Sequence, residues 1–367
     1  MCGITGICAL SGKLIQPNEI AAQIETILHR GPNQGATYIS AQDVCGMGIR
    51  RLSIIDVVGG HQPLSNEDGS VYLVYNGETY NHQTLRAELE GLGHRPKSHS
   101  DAEVILHGYE AWGPAGVLSK MRGMFAFALW DEKQQQLFLA RDRFGIKPLY
   151  YAEHRGRLVF ASEIKAILTQ PEFPRQVNLP ALQAMLTLGF VPGPATMFKG
   201  IYKLPPAHFL IAQNGTFHIK KYWQLSYQEN QHISEAEAVE QFLALLQESV
   251  QLHLMSEVPL GSLLSGGLDS GALVALLQSG LAGRSVVSPT PLKGAPRARG
   301  RLRTGQWSVP GGGYALVSGT QRAFHQPSVV IFSEETHLMS NTDFWATFTS
   351  VPGGLAAVPC CSASIDS

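Results

Sequence analysis

The sequence predicts stacked layers of β-sheet and α-helix, followed by a separate strand–turn–helix unit. Three observations predict this. Clusters of apolar, alternating strand-like runs lie between pairs of amphipathic helices, a pattern that builds sheet and helix layers rather than a bundle. A Pro-rich interruption, "LGFVPGPATMFKG" and "KLPPAHFL", cannot be regular helix interior and places a connector between about 190 and 230. Beyond it, "EVPLGSLL" reads as a buried strand, "SGGLDS" as a tight turn and "GALVALLQSG" as a helix.

The elements follow in order. "NEIAAQIETILHR" gathers Ile20, Ile24, Ile27 and Leu28 on one helical face, with Asn18 as the expected N-cap. "VYLVYNGETYN" predicts a strand ending in a turn at Asn76-Gly77. "HQTLRAELEGLG" repeats Leu85, Leu89 and Leu92 and stops at Gly93, and "DAEVILHGYEAW" predicts a second helix opening at Asp101. "GMFAFALWD", "QQLFLARD" and "RLVFASE" predict strands packed on one or both faces. After the connector, Ser234 and Glu237 form a capping box on a long helix with a stripe of Val239, Phe242, Leu243, Leu246 and Val250.

Composition narrows the function. The 367 residues carry a net charge of −1, so no charge imbalance points to nucleic acid or a membrane surface. No apolar run of about 18 residues suggests a membrane-spanning helix, no leader pattern is seen, and a cytoplasmic protein is expected. The five cysteines make no C-x-x-C pair, and Cys8 and Cys45 read as small buried hydrophobes.

Cys2 stands apart because it follows the initiator Met. With Met1 removed, its thiol is a nucleophile and its own α-amine, which ordinarily titrates near ~7.7–8.0, is a base within reach. "YNGE" offers the Asn76 side-chain amide and the Gly77 N–H, the donor pair a tetrahedral oxyanion needs. "RRLSIID" offers Arg51 for a carboxylate, and "SHSDAE" offers Asp101 for an ammonium group. Together these describe an amino-acid substrate with a side-chain amide, and glutamine fits. In "LLSGGLDS", backbone N–H groups at a helix start, approached closely because of glycine, suit phosphate oxygens.

"MCGITGI", "HRGPN", "RRLSIID", "YNGETYN", "SDAEV", "RDRFGIKPLYY", "SEIKAI", "LPPAHFL", "KYW" and "VPLGSLLSGGLDS" occur in this order over residues 1–280. In this the chain resembles the glutamine-dependent asparagine synthetases. Amidotransferases acting on sugar phosphates or phosphoribosyl pyrophosphate share the "CGI" start but lack "SGGLDS". The resemblance implies an α+β four-layer αββα N-terminal-nucleophile glutaminase domain, then an incomplete α/β pyrophosphate-loop (adenine nucleotide hydrolase-like) domain. Its implied boundaries are 1–215 for a type 2 glutamine amidotransferase domain, 216–283 for the start of the synthetase domain, and 284–367 for an atypical Gly/Pro/Arg-rich tail.

By motif position the resemblance implies Cys2 as nucleophile and Asn76 and Gly77 as the oxyanion hole. Arg51, with Leu52, Ser53, Ile54 and Ile55, would hold the glutamine carboxylate, and Glu78 and Asp101 its amine. Leu264, Ser265, Gly266, Gly267, Asp269 and Ser270 would hold ATP, with Asp269 helping to place Mg²⁺. The family reads "HRGPD" where this chain has Asn33, a loop expected to be structural, and "RDRFGIKPLYY" is expected to pack rather than catalyse. The implied reaction joins glutamine-derived ammonia to a β-aspartyl-adenylate made from aspartate and ATP, in a possible homodimer.

From Val258 onward there are 110 residues, room for at most about three βαβ units of ~30 residues. The family's synthetase domain is longer, and its downstream aspartate- and ATP-binding residues have no counterpart here. The tail is open to three readings: a foreign or out-of-frame terminus on a shortened synthetase, a short diverged domain, or a basic interaction tail. A stand-alone glutaminase, an amidotransferase with another acceptor, and a catalytically dead interaction protein remain the alternatives for function.

Overall fold

The computed structural model describes residues 1–280, apart from 12, 229–231, 259 and 264–266, together with two short strands farther along the chain. The chain divides into two compact units, the first holding Met1–Tyr227 and the second beginning at Gln228. In the first, the elements run β1 (Gly3–Ala9), α1 (Pro17–Thr26), β2 (Gln34–Ile39), β3 (Cys45–Arg51), β4 (Leu64–Ser65), β5 (Val71–Thr79), α2 (His82–Gly91) and α3 (Glu103–Lys120). They continue with β6 (Gly123–Asp131), β7 (Gln136–Arg141), β8 (Tyr150–His154), β9 (Arg157–Ala161), α4 (Ile164–Ile167), α5 (Leu179–Leu188), β10 (Tyr202–Lys203), β11 (His208–Gln213) and β12 (Thr216–Lys221).

The strands form two six-stranded sheets, ordered β10-β8-β9-β1-β3-β2 and β12-β11-β7-β6-β5-β4. Neighbours pair antiparallel, as in β1 with β3 and β5 with β6. Three apolar clusters account for the layers. Ile4, Met47, Ile49 and Phe160 of the first sheet meet Val74, Trp130, Leu139 and Leu210 of the second. The outer face of the second sheet, through Leu73, Phe127 and Phe138, is covered by Val104, Ile105 and Leu118 of α3 and Leu85 and Leu89 of α2. The outer face of the first, through Ile7 and Val159, is covered by Ile20 of α1 and Ala166 and Ile167 of α4. The order is therefore helix, sheet, sheet, helix, the αββα sandwich of N-terminal-nucleophile glutaminases. Each of the large side chains sealed inside, Trp130, Phe125, Phe127, Phe138 and Phe160, contributes roughly 1.5–3 kcal/mol by leaving water.

Several local expectations change. Helix α1 is capped by Gln16, which shares a capping box with Glu19, and Pro17 takes the first helical position, so Asn18 is inside the helix. Helix α3 starts at Glu103 and not at Asp101, and it kinks at Gly113, φ 69°, ahead of Pro114. Strand β5 does not turn at Asn76-Gly77: it continues to Thr79, with Asn76 opposite Ala126 and Gly77 opposite Phe125. Glycine is needed there for close approach, since a Cβ on Gly77 would lie 2.4 Å from the Met124 carbonyl oxygen. Cys8 and Cys45 are buried cross-strand neighbours with free thiols, and burial pushes the Cys45 thiol well up, as inert core residues require.

The second unit contains α6 (Glu235–His253), β13 (Gly261–Leu263), α7 (Leu268–Gly280), β14 (Ser328–Ile331) and β15 (Ala356–Pro359). The Ser234–Glu237 capping box is present. The expected stripe is not buried along its length: Val239, Phe242 and Leu243 are exposed, and only Val250 is enclosed, packing with Leu254 and with Leu277 of α7. Among the described residues Leu277, Leu273 and Leu276 of α7 pack with Val250, Leu254 and Leu260 at the C-terminal end of α6 and just beyond it. Strand β13 pairs antiparallel with β14, and no parallel partner for it lies among the described residues. No described helix is long and apolar enough to cross a membrane.

Candidate active site

Cys2 sits at the start of β1, held from several sides. The Leu52 N–H donates to its Sγ at 3.3 Å, the Sγ donates to the Leu52 carbonyl at 3.5 Å, and the Arg30 Nε donates to the Cys2 carbonyl at 2.9 Å. Arg30 is anchored by Glu163 at 3.1 Å, and His29 and Lys165 also meet that carboxylate. Burial works to raise the Glu163 pKa, but these cations outweigh it and hold the carboxyl below its usual range. The motifs "HRGPN" and "SEIKAI" therefore jointly fix the nucleophile's backbone. Asn33 accepts from the Ser53 N–H at 3.1 Å, so its side chain buttresses the loop after β3.

A cleft of about 300 Å³, partly open to solvent, is lined by Cys2, Arg51, Leu52, Ile54, Ile55, Gln62, Tyr75, Gly77, Glu78, Ser100 and Asp101. The Arg51 guanidinium donates to the carbonyls of Ile55 (2.9 Å) and Asp56 (2.8 Å), so it both faces the cleft and shapes the loop beside it. Asp101 Oδ2 accepts from the Thr79 N–H at 2.7 Å and from the Tyr75 hydroxyl at 3.2 Å. That tie to β5 explains why Asp101 is not spent as a helix cap. Ser53 and Asn76 do not line the cleft. Asn76 lies on β5 between the lining residues Tyr75 and Gly77, is 1% exposed, and its Nδ2 makes no hydrogen bond.

Electrostatics in the cleft are governed by burial. It pushes Asp101 up to about 6, against the bonds from Thr79 and Tyr75. Glu78 is driven well above the carboxylate range by burial and then by Asp101, with Lys147, the terminal amine and Arg51 opposing. Burial likewise lowers the Met1 α-amine to about 5. Lys147 is lowered by burial, while the charges of Glu78 and Cys2 oppose that shift.

Sequence reasoning missed Arg30, Gln62, Tyr75, Ser100 and Lys147. Arg30 and Lys147 lie inside quoted motifs, and Ser100 adjoins Asp101. Gln62, whose Oε1 accepts from the Tyr75 N–H at 2.7 Å, has no local signal. The "RDRFGIKPLYY" loop does pack: Asp142 accepts from the N–H groups of Phe125, Phe144, Ile146 and Lys147. Arg141 donates to the carbonyls of Gly145, Lys147 and Leu204. This turn also buries Lys147, which interacts electrostatically with Glu78 and Cys2.

In the second unit, Leu264, Ser265 and Gly266 lie outside the described residues. Asp269 is exposed in the first turn of α7, and Ser270 is buried with its hydroxyl donating to the Gly267 carbonyl at 3.1 Å. An exposed carboxylate at that position fits a hard cation shared with phosphate oxygens.

An αββα sandwich of two antiparallel sheets, with Cys2 directly ahead of its first strand and a cleft lined by Cys2, Arg51 and Asp101, has the fold of an N-terminal-nucleophile glutamine amidotransferase domain. Consistent with this, the family model of the glutamine amidotransferase domain matches residues 1–223, and the chain belongs to that family. The asparagine synthase model matches residues 241–293. The chain is 38% identical over 280 residues to asparagine synthetase [glutamine-hydrolyzing] 3 of Bacillus subtilis (strain 168), covering 75% of this chain and 45% of that protein. It is 39% identical over 290 residues to asparagine synthetase [glutamine-hydrolyzing] 2 of the same organism, covering 74% and 38%. It is 34% identical over 295 residues to amidase chry2 of Gibberella zeae, covering 76% and 43%. The chain thus spans less than half the length of these relatives.

Proposed function

We propose that the first unit hydrolyses glutamine to glutamate and ammonia, with Cys2 as nucleophile once Met1 is removed. The observation that carries this reading is the convergence of Cys2, Arg51, Gly77, Glu78 and Asp101 on one cleft. Arg51 holds the α-carboxylate, and Asp101 with Glu78 receives the α-ammonium group. The Cys2 thiol gives its proton to its own α-amine, and the sulfur attacks the side-chain amide carbon. The oxyanion so formed is met by the Gly77 N–H and the Asn76 amide, which has a donor to spare. Collapse of the tetrahedral species breaks the C–N bond, the α-ammonium returns the proton, and ammonia leaves a thioester on Cys2. Water, deprotonated by the same amine, cleaves the thioester to glutamate and regenerates the thiol.

The second unit carries the finer reading, transfer of that ammonia to a β-aspartyl-adenylate formed from aspartate and ATP. Leu264, Ser265, Gly266, Gly267 and Ser270 would hold the nucleotide, and Asp269 would help bind Mg²⁺, which shields phosphate charge. The match of residues 241–293 to the asparagine synthase model supports this assignment.

The test of the first reading is glutamate production by the wild-type chain and by Cys2→Ala. The variant is expected to fold, by circular dichroism, and to lose hydrolysis; normal turnover would sink the assignment. Pyrophosphate release from MgATP with ammonium chloride, dependent on aspartate, tests the second. Its absence while glutamine is still hydrolysed would confine the chain to glutaminase chemistry.

A further inference from the structure

We propose that the first unit carries a zinc site on its outer helical layer, built by Glu67, His94, His107 and Glu110. One donor atom from each lies within 4.8 Å of the others. The segments that deliver them are distant in sequence: Glu67 lies in the turn between β4 and β5, His94 follows α2, and His107 and Glu110 share one face of α3 at i, i+3 spacing. None of the four lines the glutamine cleft.

His107 points to a ligand most directly. It is fully buried, and its Nδ1 makes no hydrogen bond. Oxygens of Glu67 and Glu110 stand 3.4 and 3.6 Å from that nitrogen. His94 Nδ1 is 3.8 and 4.0 Å from oxygens of the same two carboxylates. Metal–ligand bonds of about 2.0–2.2 Å in tetrahedral array require donor separations of about 3.3–3.6 Å, so a small closure completes the site.

The surroundings orient the donors. The other ring nitrogen of His107 faces Glu103 Oε2 at 3.2 Å, and Glu103 itself is held by the Ser98 N–H and hydroxyl. A carboxylate behind a ligating imidazole fixes the tautomer and raises ligand basicity. Glu110 Oε1 accepts from Asn66 Nδ2 at 2.7 Å, and Glu67 Oε1 from the Arg95 N–H at 2.9 Å. Two imidazoles and two carboxylates neutralise a divalent cation, and this mixed nitrogen–oxygen set suits zinc better than magnesium or calcium. Glu67 is 41% exposed, which gives the ion an entry path.

The experiment uses the full chain, stripped with a chelator and titrated calorimetrically with ZnCl₂ at pH 8. The expected result is one zinc per chain with a raised Tm. His94→Ala and Glu110→Gln, both at partly exposed positions, are expected to weaken binding by at least about tenfold, and Glu103→Gln by about 10- to 100-fold. A cobalt-loaded wild-type chain is expected to show no thiolate-to-metal charge-transfer band. Unaltered zinc affinity in both His94→Ala and Glu110→Gln, a thiolate band, or no zinc binding by the wild type would each overturn the proposal.

Discussion

Asn76 and Asp101 illustrate how single residues acquire roles from their surroundings. The Asn76 amide is buried with an unmatched Nδ2 donor, which costs about 1–3 kcal/mol in the resting protein. Charge developing on a substrate oxygen would use that donor only during reaction. Asn76→Ala is therefore expected to lower kcat for glutamine hydrolysis by about 10²–10³-fold while changing KM little. Steady-state kinetics checks this, and equal losses in binding and turnover would contradict it. Asp101 titrates near 6 because it is buried. Its carboxylate form binds the substrate ammonium group, so kcat/KM should be full above that pH and fall as pH drops through about 6. In Asp101→Asn this acid limb should vanish and KM should rise. A pH–rate profile of the two proteins decides the matter.

At the scale of elements, the turn between β7 and β8 gives the clearest case. Asp142 accepts four backbone N–H groups, and Arg141 caps three carbonyls, so the turn is folded by its own two charged residues. Asp142→Ala orphans several buried donors at about 1–3 kcal/mol each. The expected loss is at least about 3 kcal/mol, or a Tm lowered by about 6 °C or more for a unit of this size. Thermal unfolding followed by circular dichroism measures it. Because this turn also delivers Lys147 beside Glu78 and Cys2, glutaminase activity should fall even below the melting range. Helix α6 shows the converse: its capping box fixes where it starts, but its apolar stripe is enclosed only where Val250 meets Leu277.

For the whole molecule, each of the three large apolar clusters is drawn from residues before Tyr227. A fragment of residues 1–227 is therefore expected to fold by itself, with a single cooperative melt and glutamine hydrolysis within a few-fold of the full chain. A molten or inactive fragment would show that the second unit completes the first. The zinc site would fall with the same fragment, since all its donors lie between Glu67 and Glu110.

The sequence by itself determined the periodic features: the apolar runs that became β6, β7 and β9, the Ser234–Glu237 box and the stop at Gly93. It also marked Cys2, Arg51, Asn76, Gly77, Glu78 and Asp101, because their chemistry is specific and their motifs are short. These signals are local, carried by residues close in the chain. Only the tertiary structure decided that Asn76-Gly77 lies within a strand and not at a turn, since that depends on β6 pairing along its full length. Only packing placed Gln62 against Tyr75, Arg30 on the Cys2 carbonyl, and Glu67 with His94 beside His107. The first two of these contacts join residues 13 and 28 positions apart, and the energy of such contacts comes from burial and desolvation, which no local pattern of residue types contains.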